Sequence, residues 1–581
     1  MPKEITRETL ASTLEDIALL LELQGANPFK TRAYRQGAEI VSNHEDDIVQ
    51  LARDNKLKGI KGIGDALQQK LHELASTGKL EFYENLRSQF PETLFDLFDL
   101  QGLGPKKVKA LYDQLGIDSI PALKAKAECG EIASLSGFGK KTAEKILQAI
   151  EQKEKFSDRF RLGTVAPIVE SILADLKDLP DTLRATIAGS YRRAKETVHD
   201  IDFLVATNEP GNVIRFFTQQ EGVIDVIAAG ETKASVRLEN GLQCDLRAVT
   251  NEQFPFALQY FSGSKEHNVA LRSLALKKGY TLNEYELTDV SGASRLQDIN
   301  EESQIYQALN LLFVEPELRE NRGEIEAAQN GTLPNLVQRD NLRGTFHNHT
   351  TASDGQHTLE EMAKAAADLG LSYLGISDHS KASFQANGLN EERLLKQVED
   401  VKNFNAENDS IHLFSGSEVD ILKDGSLDFD DEILAQLDYT VASIHTSFTL
   451  SEADQTKRLI RAMENEHVTM IGHLTGRILL RRDPYQIDIG KILDCAAETK
   501  TIIELNCNPR RLDMDWRHWK KAASMGILTS INPDAHHTDH FQFLHYGVLQ
   551  ARKGWLEKQN VLNTKNLEEV TTFLNTKKQD R

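Results

Sequence analysis

The stretch from Gly189 to Ala206, GSYRRAKETVHDIDFLVA, contains two aspartates, Asp200 and Asp202, separated by a single isoleucine and followed by an apolar run. Residues i and i+2 of a β-strand face the same side, so a strand at this place presents both carboxylates together. Two like charges at a buried edge repel each other unless a divalent cation lies between them. The stretch therefore predicts a strand whose edge holds a cation.

A third carboxylate, Asp245, lies in the next clear strand-like run, GLQCDLRAV, and can complete the acidic cluster. Two hard cations about 3.5–4 Å apart hold the phosphates of a nucleotide and activate an attacking hydroxyl. Gly189 and Ser190, with Arg192 and Arg193, are suited to bind a triphosphate. Together these residues indicate a nucleotidyltransferase, for which we expect Mg²⁺ or Mn²⁺.

One pattern occurs three times in the first 155 residues, where helical periodicity prevails and β-rich runs are absent. Each copy has an apolar-x-Gly-apolar-Gly turn before a helix, and such a turn frees backbone N–H groups to approach an anion. Lysines at the helix starts suit a phosphate backbone. We interpret the copies as DNA-binding helix-hairpin-helix motifs. The residues are Gly62, Gly64, Gly102, Gly104, Lys106, Lys107, Gly137, Gly139, Lys140 and Lys141.

Beyond residue 344, apolar runs alternate with helical segments, as in a βα-repeat fold. The apolar runs end in His, Asp or Glu, and the carboxyl ends of strands in a βα-barrel meet on one face. Nitrogen and oxygen donors without a thiolate suit a cluster of two or three ions such as Zn²⁺ or Mn²⁺. The predicted ligands are His347, His349, Asp354, His379, Glu418, His445, His473, Asp534 and His536.

The motifs GSYRR, HDID and CDLR resemble the palm of the X family of DNA polymerases, the family of polymerase beta. YFSGSKEHNVALR (260–272) resembles the nucleotide-selection segment of that family, and GYTLNEYEL with EPELRE resembles the end of its core. The resemblance implies that Asp200, Asp202 and Asp245 hold the metals, with Asp245 as the base toward the primer 3′-OH. It implies that Ser190 and Arg193 contact the triphosphate.

The same resemblance implies further nucleotide contacts from Gly189 and from the 260–272 segment. Tyr260 and Phe261 would screen the sugar beside Gly263, and Asn268 and Arg272 would touch the minor-groove side of the nascent pair. Two positions depart from the family pattern. His199 stands where relatives carry glycine, and Ser262 stands where some carry threonine. We leave open whether His199 crowds the metal site or adds a ligand.

The N-terminal segment is similar to the lyase domain of the X family, which forms a Schiff base with an abasic sugar. Lys70 occupies the position of the nucleophilic lysine, with Lys30 and Tyr34 at supporting positions, and Ala66 replaces a lysine found in relatives. A solvated lysine on a DNA-binding helix is the alternative for Lys70. The resemblance thus leaves an abasic-site lyase activity open.

Residues 340–575 resemble the PHP (polymerase and histidinol phosphatase) domain, and all nine ligand positions of that family are present. The pairing of this domain with an X-family core resembles the bacterial polymerase X enzymes. It implies a Mn²⁺-dependent 3′–5′ exonuclease, and in some members an abasic-site endonuclease or 3′-phosphatase. Arg477, after the strand that ends at His473, is a candidate for binding a substrate phosphate.

The composition indicates the cellular compartment of the protein but does not identify its activity. The four cysteines form no CxxC pair, which suits a reducing cytosol, and neither a signal peptide nor a membrane-length apolar run is present. The net charge of −20 excludes no nucleic-acid partner, since local patches decide contact with phosphate. We expect a cytoplasmic monomer that binds gapped or primer-template DNA and dNTP, without a membrane partner.

The expected fold is a multidomain α+β and α/β chain with a helical helix-hairpin-helix region, a nucleotidyltransferase palm and a distorted (β/α)7 PHP barrel. The expected function is gap filling in base excision repair with 3′ trimming. The alternatives are a DNA-bound PHP phosphoesterase with an inert palm, and a nucleotidyltransferase acting on another substrate. The predicted boundaries are 1–87 (lyase-like), 88–155 (duplex-binding), 156–250 (palm), 251–325 (nucleotide selection), 326–343 (linker) and 344–575 (PHP).

Overall fold

A computed structural model describes residues 5–43, 48–60, 62–100, 102–156, 158–291 and 299–580. Lys61 of the first repeat and Gln101 of the second lie outside the described residues. The chain divides into two compact units, Met1–Ser157 and Asp158–Arg581. None of the described helices is both long enough and apolar enough to cross a membrane.

The described part of the first unit consists of helices packed around one apolar cluster, in which Leu14, Leu111 and Ile150 are fully buried. Each repeat predicted from the sequence places its first glycine in a turn before a helix, and the second glycine of the third repeat, Gly139, is the first residue of its helix. The helices are α1 (Arg7–Gln24), α2 (Pro28–Asn43), α3 (Ile48–Arg53), α4 (Asp65–Thr77), α5 (Glu81–Arg87), α6 (Pro105–Leu115), α7 (Ile120–Glu128) and α8 (Gly139–Phe156).

The second unit begins with a five-stranded sheet of order β2-β4-β7-β6-β5, in which the neighbouring strands β4 and β7 run parallel. Apolar residues of β4 alternate into a core shared with α9 and α11. The elements are β1 (Phe160–Arg161), α9 (Leu162–Asp178), β2 (Thr182–Ile187), α10 (Gly189–Arg192), β3 (Thr197–Val198), β4 (Asp200–Thr207), α11 (Pro210–Thr218), β5 (Val223–Ala229), β6 (Lys233–Leu238) and β7 (Gln243–Val249).

A mainly helical segment follows the sheet and has its own apolar cluster around Leu271, Ile305 and Leu309. A short antiparallel pair, β8 with β9, lies within it. The elements are α12 (Phe254–Ser262), α13 (Lys265–Lys277), β8 (Tyr280–Leu282), β9 (Leu287–Asp289), α14 (Glu302–Ala308) and α15 (Glu324–Asn330).

The C-terminal part contains seven parallel strands in sequence order, β10 to β16. The barrel is nearly closed, since a hydrogen bond from His349 N–H to the Ala535 carbonyl, at 2.8 Å, connects the segments that follow the first and last strands. This near-closed barrel, the palm sheet and the helical N-terminal unit confirm the predicted fold class. The strands are β10 (Gly344–Thr345), β11 (Tyr373–Ile376), β12 (His412–Asp420), β13 (Tyr439–Ser443), β14 (Met470–Ile471), β15 (Ile502–Asn506) and β16 (Thr529–Asn532).

Helices cover the outside of the barrel and bury the apolar faces of its strands. They are α16 (Leu359–Asp368), α17 (Glu391–Glu407), α18 (Asp431–Leu434), α19 (Glu452–Glu464), α20 (Ile489–Thr499), α21 (Trp519–Ser524), α22 (Leu544–Lys553) and α23 (Leu567–Asn575).

The segment 326–343, predicted to be a linker, contains buried apolar side chains. Val337 and Leu342 belong to the apolar cluster of the barrel, and Val337 N–H donates to the Leu556 carbonyl at 3.0 Å. The polar composition of this segment did not reveal these contacts, because the apolar residues are few and widely spaced. The domain boundaries themselves stay a prediction.

Candidate active sites

The three palm aspartates lie together on the neighbouring strands β4 and β7. Asp202 of β4 stands directly opposite Asp245 of the parallel strand β7, and Asp200 lies two residues earlier on the same face. Gly189 packs against this cluster, since a Cβ on it would lie 2.1 Å from a carboxylate oxygen of Asp202. Its φ of +62° also favours glycine. The Gly-Ser turn and the aspartates therefore form one site.

The electrostatics of the cluster favour a cation. Burial, together with the neighbouring charges of Asp200 and Asp245, raises the pKa of Asp202 to about 7. Asp245 is held in place because Gln243 Nε2 donates to it at 3.0 Å and the Ser235 hydroxyl donates to its other oxygen. Hard carboxylate oxygens in this arrangement fit Mg²⁺ or Mn²⁺.

His199 lies beside the cluster without displacing it. Its Nε2 is 3.1 Å from a carboxylate oxygen of Asp158, and its Nδ1 is 3.9 Å from Asp200. The ring is about half exposed, so the bend between β3 and β4 accommodates it at the surface. The substitution of the family's glycine therefore leaves the three aspartates on one face.

Both arginines of the GSYRR motif are paired with acids of the helical segment. Arg192 forms a two-point ion pair with Glu302, at 2.7 and 3.1 Å, and Glu302 also binds Arg319. Burial acts to raise the pKa of Glu302, but Arg319 and Arg192 hold it at about 2. Arg193 Nε donates to Glu320 at 3.2 Å. The sequence did not indicate these partners, which lie more than a hundred residues away.

The predicted nucleotide-selection residues surround the start of α13. Tyr260 and Phe261 meet edge to face at 5.1 Å, and Arg272 lies over the Tyr260 ring at 6.0 Å. Asn268 Nδ2 donates to the Tyr260 carbonyl at 2.7 Å. Gly263, with a φ of +66°, lies against Arg193, since a Cβ on it would be 3.0 Å from that guanidinium. These residues thus adjoin the arginine of the Gly-Ser turn.

All nine predicted ligands at the strand ends converge inside the barrel, with Glu418 at the centre. One oxygen of Glu418 lies 2.9 Å from His473 Nε2 and 3.2 Å from His445 Nε2, and the other lies 2.9 Å from His379 Nδ1. Within the described residues, four groups have donor atoms close enough for one ion. They are His349–Asp354–His379–His536, His347–His349–Asp534, His347–Glu418–His473 and His379–Glu418–His445.

Buried donors in this cluster lack hydrogen-bond partners among the described groups. They include His347 Nε2 and both ring nitrogens of His349. Burial and the neighbouring His536 and His379 lower the pKa of His349 to about 3. A buried polar atom without a partner costs on the order of 1–3 kcal/mol, and coordination of a metal ion removes that cost. The donor set therefore fits a metal cluster.

Two carboxylates outside the nine predicted ligands orient the histidines, and the sequence analysis did not predict them. Glu504 of β15 lies 2.6 Å from His347 Nδ1, and Asp420 lies 3.0 Å from His445 Nδ1. Such partners fix the tautomer and orientation of a ligating histidine. The available signal was the spacing of Asp420, two residues after Glu418 on the same strand and therefore on the same face.

Three of the nine residues have a left-handed backbone at the strand ends. His347, His473 and Asp534 have φ values of +59°, +26° and +53°. Side chains other than glycine rarely adopt this conformation, which persists where surrounding structure enforces it and is frequent at functional sites. Its occurrence at three ligand positions supports the assignment of this barrel face as the site.

Arg477 is engaged by protein groups. Its guanidinium donates to Asp515 at 3.1 Å, forms an ion pair with Glu196 of the palm and donates to the Arg511 and Leu512 carbonyls. It is 5% exposed, so a phosphate would have to displace these partners. The structure thus shows that Arg477 joins barrel and palm, and its contact with a substrate phosphate stays a prediction.

The three Gly-x-Gly turns of the first unit have the expected geometry. The first glycine of each turn has a positive φ: +99° at Gly62, +88° at Gly102 and +88° at Gly137. Gly64 and Gly104 have ordinary negative φ, and no described atom lies within 4 Å of a Cβ placed on them. Neither backbone strain nor packing within the protein therefore requires glycine at these two positions. The absence of a side chain there would let the backbone of a nucleic acid approach closely.

The four lysines at these turns are at least partly accessible. Lys106, Lys140 and Lys141 are exposed, whereas Lys107 is half-buried and its ammonium donates to the Gly102 carbonyl at 2.9 Å. In the same unit, the ammonium groups of Lys70 and Lys30 lie over the Phe82 ring at 4.7 and 5.3 Å. Tyr34 stacks on that ring at 6.2 Å. The predicted lyase residues are therefore neighbours.

Comparisons with known proteins agree with this architecture. The matching family models are the helix-hairpin-helix domain (6–80), the SAM-like helix-hairpin-helix tandem (94–152), the DNA polymerase beta thumb (257–320) and the PHP domain (345–508). Over 169 residues the chain is 32% identical to a probable phosphatase of Clostridium acetobutylicum, covering 28% of this chain and 63% of that protein.

Two polymerases are also similar. DNA polymerase lambda of Rattus norvegicus is 24% identical over 290 residues, covering 45% of this chain and 48% of that protein. The DNA polymerase/3′-5′ exonuclease PolX of Bacillus subtilis (strain 168) is 39% identical over 570 residues, covering 98% of this chain and 99% of that protein. On this similarity, the chain belongs to the PolX family of DNA polymerases, which join a polymerase beta-like core to a PHP domain.

Proposed function

We propose that the protein is a DNA-directed DNA polymerase that fills short gaps in base excision repair and whose PHP domain trims 3′ ends. The observation that carries the polymerase part is the placement of Asp202 opposite Asp245, with Asp200 on the same face. The similarity to PolX supports both activities. The two chemistries are complementary, because trimming removes a 3′ end that the palm cannot extend.

In the palm, the three aspartates would hold Mg²⁺ or Mn²⁺. Such ions, when bound, neutralise a triphosphate and increase the acidity of the primer 3′-OH. Asp245 accepts the proton of that hydroxyl, with its carboxylate oriented by Gln243 and Ser235. Because the pKa of Asp202 is about 7, this group loses its proton as a cation binds.

The dNTP is bound by residues on both sides of the Gly-Ser turn. Gly189 and Ser190 present the turn to the triphosphate, and Arg193 adds a guanidinium. Tyr260 and Phe261 screen the sugar, which is supported by their edge-to-face packing. Asn268 and Arg272 contact the minor-groove side of the nascent pair.

In the barrel, the nine ligands would hold a cluster of Zn²⁺ or Mn²⁺ ions. A cluster of this kind supplies a hydroxide at neutral pH and stabilises charge on the phosphate under attack. Glu418 contacts several histidines at once and holds the cluster together. Glu504 and Asp420 keep His347 and His445 in the orientation that binds metal.

The helix-hairpin-helix turns bind the phosphate backbone of gapped or primer-template DNA through Gly64, Gly104 and the lysines near them. Lys70 is the candidate nucleophile for an abasic-site lyase, supported by its position beside Lys30 and Tyr34 around Phe82. The protein is proposed to act as a monomer.

Primer extension on gapped DNA, with Mg²⁺ or with Mn²⁺, tests this proposal. The expected result is template-directed filling of the gap, with a labelled 3′ end degraded when dNTP is absent. Degradation without extension would indicate an inert palm on a PHP phosphoesterase. Transfer of nucleotides to RNA or to a small acceptor, with none to DNA, would indicate a different nucleotidyltransferase.

A further inference from the structure

The last turn of the barrel helix α22 reaches the Gly-Ser turn of the palm. Lys553 ends this helix, and its side chain is fully buried. Its ammonium donates to the Arg193 carbonyl at 2.9 Å and to a Glu320 carboxylate oxygen at 2.7 Å. A residue of the PHP part thus contacts both the main chain of the proposed triphosphate-binding turn and the acid that pairs with its arginine.

Glu320 connects Lys553 to the guanidinium of Arg193. The same carboxylate oxygen accepts from Lys553 Nζ and, at 3.2 Å, from Arg193 Nε. Arg193 Nη1 donates to the Ser262 carbonyl at 2.5 Å, and its side chain is 13% exposed. The guanidinium is therefore fixed from two sides, and one of these contacts depends on an acid that Lys553 holds.

Neighbouring contacts fasten the same turn to the barrel. Gln550, one turn earlier on α22, donates to the Ala194 carbonyl at 2.9 Å, and Ala194 has a φ of +51°. Arg552 donates to Glu317 at 2.6 Å. The barrel therefore supports a backbone conformation that a residue other than glycine rarely adopts.

The buried ammonium of Lys553 requires a specific reason. Burial lowers the pKa of Lys553 to about 8, against the opposing charge of Glu320. An apolar side chain of similar length fills such a space without that cost, so packing alone does not account for a lysine. The three oxygen acceptors around its ammonium, from Arg193, Glu317 and Glu320, indicate that the residue orders polar groups.

We propose that Lys553 is a positioning residue for nucleotide addition. Acting through Glu320 and the Arg193 carbonyl, it holds the Arg193 guanidinium where the triphosphate arrives. The PHP part then contributes to the polymerase site with a side chain remote from its own metal cluster. The inference deepens the proposed function and rests on the assignment of Arg193 to the triphosphate.

The test is single-nucleotide incorporation on gapped DNA by full-length Lys553→Met, with Lys558→Met as the matched control because Lys558 is exposed on the segment that follows. Removal of a charge-assisted hydrogen bond predicts a rise of about tenfold in KM for dNTP, with kcat within about twofold of wild type. The control keeps the wild-type KM, and 3′ trimming is unchanged in both proteins.

A double-mutant cycle with Arg193→Ala separates positioning from general damage to the fold. If Lys553 acts through Arg193, the double variant has the KM of Arg193→Ala alone, whereas independent effects multiply. Should Lys553→Met not fold, Glu320→Gln keeps the shape, removes the shared charge and is predicted to raise KM in the same way. Circular dichroism and the rate of 3′ trimming report whether each variant is folded.

The outcomes separate the positioning role from the palm assignment. If Arg193→Ala raises KM and neither Lys553→Met nor Glu320→Gln does, the positioning role is overturned and the palm assignment stands. If Arg193→Ala itself leaves KM unchanged, the assignment of Arg193 is overturned and the inference with it. Multiplying effects in the cycle also overturn the positioning role.

Discussion

The two proposed metal sites differ in the number and the burial of the protein groups that would hold the ions. The palm presents three carboxylates, and Asp200 is 42% exposed, so its donor set is open on one side. The barrel presents nine donors around Glu418, which is 1% exposed, and its outermost ligands Asp354 and His536 are 35% and 28% exposed. A set of three oxygen donors takes further ligands from an incoming nucleotide, whereas a larger set of nitrogen and oxygen donors holds its ions without substrate.

The difference also shows in how each site is held. The palm aspartates are positioned by the pairing of two adjacent strands, and two polar side chains fix Asp245. The barrel ligands come from separate strand ends and depend on added carboxylates, Glu504 and Asp420. The barrel site therefore has more residues whose loss reduces activity indirectly.

The largest expected effect is on the barrel site. Glu418→Ala should abolish 3′ trimming and lower the metal content of the dialysed protein, because Glu418 contacts histidines of more than one ion group. Extension of a paired primer should continue. Elemental analysis and a labelled-primer assay measure the two effects. Trimming at the wild-type rate would place the nuclease elsewhere.

A smaller loss of activity is expected when a carboxylate that orients a metal-binding histidine of the barrel is removed. Asp420→Asn should lower trimming or metal affinity about 10–100-fold, because His445 loses the charge that orients its ring. Asp424→Asn is the matched control, since Asp424 is exposed and paired with Arg461. Equal activity of the two variants would remove Asp420 from the site.

The metal dependence of primer extension at the palm site should vary with pH because of Asp202. Its pKa, raised to about 7, means that a proton occupies the group below that pH and competes with the cation. Below about pH 7, the Mg²⁺ concentration for half-maximal extension should rise about tenfold for each pH unit, and above it the concentration should level off. Titrations on both sides of neutral pH measure this. A half-maximal concentration independent of pH would contradict the role of Asp202.

The smallest effect concerns DNA binding, which we assign to neither metal site. Lys106, Lys107, Lys140 and Lys141 are proposed to bind phosphates, and replacing each one by alanine should lower the slope of log K against log salt by about 0.9 on duplex DNA. Lys126→Ala is the control, because its ammonium is paired with Glu131 at 2.6 Å. An unchanged slope in the fourfold alanine variant would remove the repeats from the binding surface.

Residues that follow a local rule could be predicted from the sequence. Alternation along β4 placed Asp200 and Asp202 on one face, and the convergence of strand ends placed nine ligands in one barrel. The Gly-x-Gly turns were likewise visible, because a positive φ at Gly62, Gly102 and Gly137 requires a particular residue type.

Residues that depend on tertiary packing could not be predicted. Glu504 lies in an apolar strand with no neighbouring motif, and the partners of Arg192 and Arg193 lie far along the chain. Arg477 is the clearest example of a residue whose partner depends on tertiary packing. Its position after a ligand strand suggested a phosphate contact, but docking of the barrel on the palm pairs it with Glu196.

The most direct test of two separate active sites uses Asp200→Ala and one labelled primer at a one-nucleotide gap, assayed with and without dNTP. Asp158→Ala serves as the control, because this nearby acid pairs with His199 and lies outside the cluster. The account predicts that Asp200→Ala gives no extension while its 3′ trimming proceeds at the wild-type rate. Extension at the wild-type rate, or loss of both activities together in a folded protein, would contradict it.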